Sequence, residues 1–263
     1  MILYKYMTLK TARKILSGSS IQFSSADTFN DPFETFAGSH LAEEESVWGD
    51  TFRRMGVDGY RIICLTRDPL SPLMWAHYAE SHRGVVLGID CKIAGFLDKE
   101  KCVLPAQYGS VIYTRTKPNF EYERSSDKAN FQNSKIEYDS NFLDVLQRNF
   151  LYKSSEWYYE EEVRVVKSVK SFPGMEINDE NGALPNSRIL LALPKNAIVD
   201  VYLGQRACDP YDEMHEFFLL SSNNLPNARL HYVSCDKSSW GLLSHELTPN
   251  WGKSLDDYFG NYP

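Results

Sequence analysis

The sequence predicts an α+β fold, with mixed, mainly antiparallel sheets and peripheral helices. Strand-like runs outnumber helical stretches, and their order is mixed where a doubly wound sheet would alternate strand and helix regularly. The 263 residues are 43% hydrophobic and 13% aromatic, which supplies a substantial core and excludes a mostly disordered chain. One domain spanning residues 1–263 is the expectation at this length, with a polar excursion and a helical segment at about 115–155.

The elements follow from local pattern. Ile2 to Tyr6 reads as a first strand. Thr8 is placed to cap a short helix, Leu9 to Leu16, with Leu9, Ala12, Ile15 and Leu16 on one face and Gly18 just past its end. Ile21 to Ser24 alternates and returns as a second strand. Phe29 to Glu34, FNDPFE, has Asn-Asp-Pro turn chemistry between two phenylalanines. Leu41 to Met55 reads as an acidic, weakly amphipathic helix with Glu43, Glu44 and Glu45 in its first turn. Tyr60 to Thr66 is a strand. Ser71 and Pro72 open a helix from Leu73 that ends near Gly84, and Val85 to Asp90 follows as a buried strand.

Cys102 to Thr114 carries two further strand-like runs, CVLPAQY and SVIYT. Arg115 to Ser134 is the polar excursion, and Lys135 to Lys153 reads as an amphipathic helix. Val163 to Val166 is a strand, and Phe172 to Ser187 holds most of a Pro/Gly/Asn-rich loop. Ile189 to Leu193 and Ile198 to Gly204 are strands, Tyr211 to Leu220 a helix and Arg229 to Cys235 a strand. A weak element lies around Trp240 to Leu247.

Bulk chemistry narrows the function. A net charge of −7 gives no general attraction to nucleic acid or anionic lipid. The five cysteines are scattered and odd in number, with no C-x-x-C, which fits a reducing cytoplasm better than a disulfide framework. The first residues, MILYKYMTLKTARK, lack a secretory apolar segment, and no apolar run approaches membrane-spanning length. A cytoplasmic chain without a membrane partner is expected.

Three constellations carry possible chemistry, of which the third, FNDPFE, with the acids Asp31 and Glu34, is most simply a structural turn. Leu73 to Asp90 packs Trp75, His77, Tyr78 and His82 together ahead of a core strand. On a helix Trp75, Tyr78 and His82 share a face, a platform of ring surfaces with a hydrogen-bonding tip, and His77 points elsewhere. The two histidines are five apart, not the i,i+4 of a helical zinc pair, so no metal set is assigned. The alternative is ordinary aromatic packing. The second constellation is Glu160-Glu161-Glu162 before VRVV. On a strand Glu160 and Glu162 share a face, where they can hold a ribose hydroxyl or stabilise positive charge; an ion pair with Arg164 is the simpler alternative. No Walker, Rossmann or G-x-S-x-G motif occurs.

Taken in order, ILYKYMTLKTARKILSGSSIQFSSADTFNDPFE, ICLTRDPLSPLMWAHYAESHRGVVLGID, SSEWYYEEEVRVV and LPKNAIVDVYLG resemble the bacterial family called domain of unknown function 2971. Met7 departs from the Arg expected after YKY. More distantly, the opening LYKYMT, LKTARKILSG, SIQFSS resembles folds of the ADP-ribosyltransferase type. That resemblance implies a split sheet with a cleft in which NAD is the substrate, cleaved by transfer or by NAD glycohydrolysis. A role as a phage-defence or toxin effector, and a protein or nucleic-acid acceptor, go with it.

Residue by residue, the resemblance implies that Glu162 stabilises the ribosyl cation and that Tyr78 and Trp75 shape the nicotinamide pocket. It gives His77 or His82 the orienting of a ribose or phosphate. Lys5, on the first strand beside Tyr6, would meet an oxygen as a point charge where such folds place His or Arg. Asp31, Glu160 and Arg164 complete the candidate binding set. The rival readings are a non-catalytic nucleotide-binding or protein-interaction module, and a metal-dependent nuclease or hydrolase using Asp31, Glu34 and His77.

Overall fold

Alternation, capping and turn chemistry place most of the elements. The computed structural model describes residues 1–31, 59–116, 136–173, 188–207, 216–217, 220–221 and 223–247. In chain order these form β1 (Ile2–Met7), α1 (Leu9–Gly18), β2 (Ser20–Ser24), β3 (Tyr60–Thr66), α2 (Pro72–Tyr78), β4 (Val85–Asp90), β5 (Ile112–Thr114), α3 (Leu143–Phe150), β6 (Tyr152–Ser154), β7 (Glu162–Ser168), β8 (Arg188–Ala192), β9 (Ile198–Leu203), β10 (Arg229–Cys235) and β11 (Leu242–Leu247). The α+β class expected from the sequence is what forms, with mainly antiparallel pairing. The acidic helix over 41–55, residues 32–34 of FNDPFE, the excursion over 117–135, loop residues 174–187 and most of the helix over 211–220 lie outside the described residues.

The chain divides into two compact units, each discontinuous in sequence. Unit 1 takes residues 1–20, 65–94 and 192–263. Its strands run β11-β10-β9-β4-β1, all antiparallel neighbours except the parallel pair β9 and β10. Val85 to Ile89 of β4 are buried throughout, because β1 and β9 flank this strand and both its faces are covered. In α1 the Thr8 hydroxyl accepts from the Thr11 N–H at 3.2 Å, and Leu9, Ala12, Ile15 and Leu16 are buried as their spacing predicts. The helix end differs by one residue. Gly18 is its last member, and Ser19 takes the left-handed position at φ 46°.

The larger correction concerns α2. Ser71 caps it and Pro72 opens it as expected, but it stops at Tyr78 and does not reach Gly84. Glu80, Ser81 and His82 follow at φ 51°, 54° and 70°, three consecutive left-handed residues without a glycine. The chain has to reverse there to enter β4 in register with β1, where Met7 pairs with Val85. Gly84 then lies so close to β1 that a Cβ on it would sit 2.2 Å from the Met7 carbonyl oxygen. The reversal keeps its donors satisfied: the N–H groups of Ser81, His82 and Gly84 reach the carbonyls of Ala76, Trp75 and Ala79. The weak element expected around Trp240 to Leu247 is the strand β11, and Trp240 precedes it fully exposed.

Unit 2 takes residues 21–64 and 95–191. β3 pairs with both β2 and β7, and β8 lies beyond β2. Bridges Leu104 to Val166 and Ser110 to Val163 tie the preceding loop to β7. Tyr60, Ile62, Leu104, Phe150 and Val166 are buried together, and Phe23 packs edge-on against Phe96 and Phe172.

Three expectations change here. CVLPAQY is not a strand beyond the Leu104 bridge, because Pro105 turns the chain into a 3-10 turn over Ala106–Tyr108. The helix expected over Lys135 to Lys153 is helical only from Ser140, as a 3-10 turn leading into α3. It ends at Phe150, where Tyr152–Ser154 leaves to pair in parallel with β5. β7 is longer than Val163 to Val166 at both ends.

The left-handed run is directly testable. Left-handed backbone costs a non-glycine residue about 1–2 kcal/mol, so Ser81→Gly is expected to raise stability by about 0.5 kcal/mol or more despite its looser unfolded chain, and Ser81→Val to lower it. Urea unfolding midpoints at unchanged slope check this; a lower midpoint for Ser81→Gly contradicts it.

Candidate functional site

The centre of unit 2 is a group of four buried charges. Parallel pairing of β6 with β5 sets Lys153 beside Tyr113 and points it inward. The Ser154 hydroxyl accepts from the Glu156 N–H and starts a 3-10 turn, Ser155–Glu160. Glu161, at φ 42°, reverses the chain before β7 begins at Glu162. That reversal brings the Glu160 and Glu162 carboxylates to one ammonium. Lys153 Nζ donates to Glu160 Oε2 and, at 3.0 Å, to Glu162 Oε2.

Arg164, two residues along β7 on the same face, grips Glu162 with a fork. Nε reaches Oε1 at 2.7 Å and Nη2 reaches Oε2 at 3.1 Å, while Nη1 donates to the Phe150 carbonyl at 2.7 Å. Lys153, Glu160, Glu162 and Arg164 are all buried, and their charges cancel. Burial alone would raise the Glu162 pKa. The charges of Arg164 and Lys153, with hydrogen bonds from Arg164 and Cys64, overcome it and hold the carboxyl well below its ordinary range.

Rings and backbone close round the charges. Phe29, from the segment that opens FNDPFE, lies 5.2 Å from the Arg164 guanidinium, and Trp157 lies 5.2 Å from Lys153 Nζ. The Tyr113 hydroxyl accepts from the Glu162 N–H at 2.9 Å. Burial, followed by the Glu162 charge among the raising effects, keeps that phenol protonated well above its usual range. Gly109 is pressed on Arg164: a Cβ there would be 1.8 Å from the Arg164 carbonyl oxygen, whose own N–H donates to Gly109.

Tyr113 also faces outward. With Arg115, Ser154, Ser155, Glu156 and Tyr158 it lines an open groove of about 640 Å³. The Tyr113 and Tyr158 rings meet edge-on at 5.4 Å, and Tyr158 is 65% exposed. The groove therefore offers ring surface, a guanidinium, two hydroxyls and a carboxylate along one stretch of unit 2.

The residues singled out from sequence fall into two sets. Glu160, Glu162 and Arg164 meet in unit 2, and the ion pair weighed for Arg164 forms. Asp31 is also in unit 2 and buried. Trp75, His77, Tyr78, His82, Lys5 and Tyr6 are in unit 1. Trp75 is fully buried and donates from Nε1 to the Pro69 carbonyl at 2.9 Å, so its ring is a core surface and not an open platform.

Tyr6 stands edge-on to Trp75 at 5.5 Å. Its hydroxyl donates to the Asp68 carbonyl and accepts from the Ser71 N–H, which fixes the loop before α2. His82 stacks on Trp75 at 6.3 Å, but through the left-handed turn and not along a helix face. Burial, then the Arg206 charge, lowers the His82 pKa. His77 is exposed, edge-on to the half-buried Tyr78 at 6.4 Å, and Lys5 is half-buried on β1. Among the described residues no group of three or more His, Cys, Asp or Glu is placed to hold a metal ion.

Sequence reasoning missed Lys153, Tyr113 and Arg115, because their meeting depends on parallel pairing across a gap of about 40 residues. It also missed Asp200, although an aspartate inside the apolar run IVDVYL was a visible signal.

What fold and site define is a mixed α+β chain whose second unit holds a neutral ion cluster beneath a polar, aromatic groove. Residues 74–165 match the family model described as "Protein of unknown function (DUF2971)", which bears out the resemblance carried by LMWAHYAESHRG and SSEWYYEEEVRVV over that stretch. No curated protein and no solved structure matches the chain at a significant level. Among the described residues no helix is long and apolar enough to cross a membrane.

Removing one member leaves its partners as uncompensated buried charges, so Lys153→Met is expected to cost about 3–5 kcal/mol in urea unfolding at neutral pH. Because the folded pKa of Glu162 lies below the unfolded one, its stabilisation is complete above the unfolded value of about 4.5 and is lost as pH falls through the acid range. The unfolding midpoint of the wild type should therefore drop below about pH 4.5 more steeply than that of Glu162→Gln. Parallel curves would remove Glu162 from that role.

Proposed function

We propose that unit 2 is a nucleotide-binding module whose ligand is NAD or a related nucleotide, held in the Tyr113–Tyr158 groove. The observation that carries this is the chemistry of the lining. A tyrosine face accepts a nicotinamide or base ring, Arg115 matches a phosphate, and Glu156 with the serine hydroxyls suits ribose.

NAD cleavage, as ADP-ribosyl transfer or as glycohydrolysis, is the second reading. The fully ionised Glu162 favours it, because loss of nicotinamide develops positive charge on the ribose and a fixed anion stabilises it. Both Glu162 oxygens are already bonded to Arg164 and Lys153, so in this reading Glu162 acts through the electrostatics of the groove floor and by seating Tyr113. A role as a defence or toxin effector belongs to the same reading. The metal-dependent alternative gains nothing: among the described residues no group of three His, Cys, Asp or Glu is placed to hold a metal ion.

Calorimetric titration with NAD, ADP-ribose and nicotinamide, paired with an assay of nicotinamide release, tests both readings. Tyr158→Ala and Arg115→Gln should each weaken NAD binding by about tenfold or more. Release that Glu162→Gln abolishes supports cleavage. Binding without release leaves the nucleotide module alone. No binding of NAD or ADP-ribose by the wild type defeats both.

A further inference from the structure

Unit 1 carries a second arrangement of charged and aromatic groups, on strands that take no part in the groove. Asp200, on β9, is fully buried. Parallel register sets Arg229 of β10 beside it and His231 beside Tyr202. Arg229 forks onto the carboxylate, Nε to Oδ1 at 2.8 Å and Nη2 to Oδ2 at 2.9 Å, and His231 Nε2 lies 3.1 Å from Oδ1. The His231 ring stacks on Tyr202 at 4.3 Å and 10°, and Tyr4 of β1 meets Tyr202 edge-on at 5.9 Å.

The cluster fits because β4 has a glycine at its centre. Gly88 pairs with Tyr4 on one side and Asp200 on the other, and a Cβ there would come within 2.8 Å of the Asp200 Cβ and 3.2 Å of the Tyr4 ring.

Hydrogen-bond accounting shows what remains unused. Three donors occupy the Asp200 oxygens. A guanidinium has five N–H groups, and Asp200 takes two of those on Arg229. Nη1 has no partner among the described residues, and the side chain is 55% exposed. When Nε2 of His231 donates to Asp200, its Nδ1 accepts in the neutral ring and donates in the protonated one. The surplus is therefore of donors, on a cation that its buried partner holds rigid.

We propose that this face of unit 1 binds an oxyanion, the carboxylate or phosphate group of a small ligand, on the outward edge of Arg229. The groups around His231 are Asp200 and Tyr202 on β9, Arg229 on its own strand, Glu246 opposite it on β11 and Tyr4 on β1. Glu246 is the one exposed acid among them and opposes an incoming anion. The proposal is independent of the nucleotide reading, since the groups lie in different units.

The test is a titration of histidine-labelled full-length protein, followed by the ring resonances of His231, with inorganic phosphate and separately with acetate, against chloride at matched ionic strength. A saturable shift with one or both anions is expected, and which of them saturates names the ligand class. Arg229→Lys keeps the pairing with Asp200 but loses the fork, and should weaken binding about tenfold; Glu246→Gln should strengthen it severalfold. Shifts that grow linearly with each salt, or that Arg229→Lys and Glu246→Gln leave unchanged, overturn the proposal.

Discussion

Two carboxylates and two cations survive burial only where each completes the other, and unit 2 is built round that demand. Lys153 has to lie on a strand facing inward, Glu160 and Glu162 have to face the same ammonium, and Arg164 has to stand two residues on. Meeting all of this fixes the parallel pairing of β5 with β6, the 3-10 turn and the reversal at Glu161. Bonds from Arg164 to the Phe150 and Gly109 backbone then fasten the end of α3 and the loop before β5 to the same point. The groove is the outer surface of this arrangement, since Tyr113 and Ser154 line it and belong to the strands that frame the charges.

Much of the fold was legible because local rules and tertiary demands agree. Alternation marked β2, the apolar run of Val85 to Asp90 marked β4, and Thr8 and the Ser71-Pro72 pair marked helix starts. Legibility failed where a distant partner decides. The pattern from Leu73 is helical up to Gly84, yet docking of β4 on β1 ends the helix at Tyr78. Lys153 looked like the end of a helix because its pairing with Tyr113 spans about 40 residues.

The site was read in part for the wrong reason. Strand alternation put Glu160 and Glu162 on one face; they do converge, but across a 3-10 turn and a left-handed residue. The aromatic cluster round Trp75 was visible as composition, and only burial shows Trp75 itself to be core.

The left-handed turn of unit 1 shows how such strain is carried. Three residues at about 1–2 kcal/mol each make about 3–6 kcal/mol. Burying an indole is worth about 4–6 kcal/mol on an area basis, and Trp75 is wholly buried beside that turn, with His82 stacked on it. The two effects are of the same size. The burial of Trp75 therefore offsets the strain of the turn, and the family match begins one residue before it, at residue 74.

The burial of β4 between β1 and β9 has a consequence during synthesis. β1 is already made when β4 leaves the ribosome, but Ile198, the first residue of β9, follows Asp90 by 108 residues. At about 5–20 residues per second that interval lasts about 5–20 s. Throughout it, an apolar strand meant to be covered on both sides carries one open row of backbone donors and acceptors, the kind of edge on which chains pair with one another. Nascent chains of this protein pass through a window of self-association set by the order in which the sequence delivers the neighbours of β4, and chains released before Ile198 never leave it.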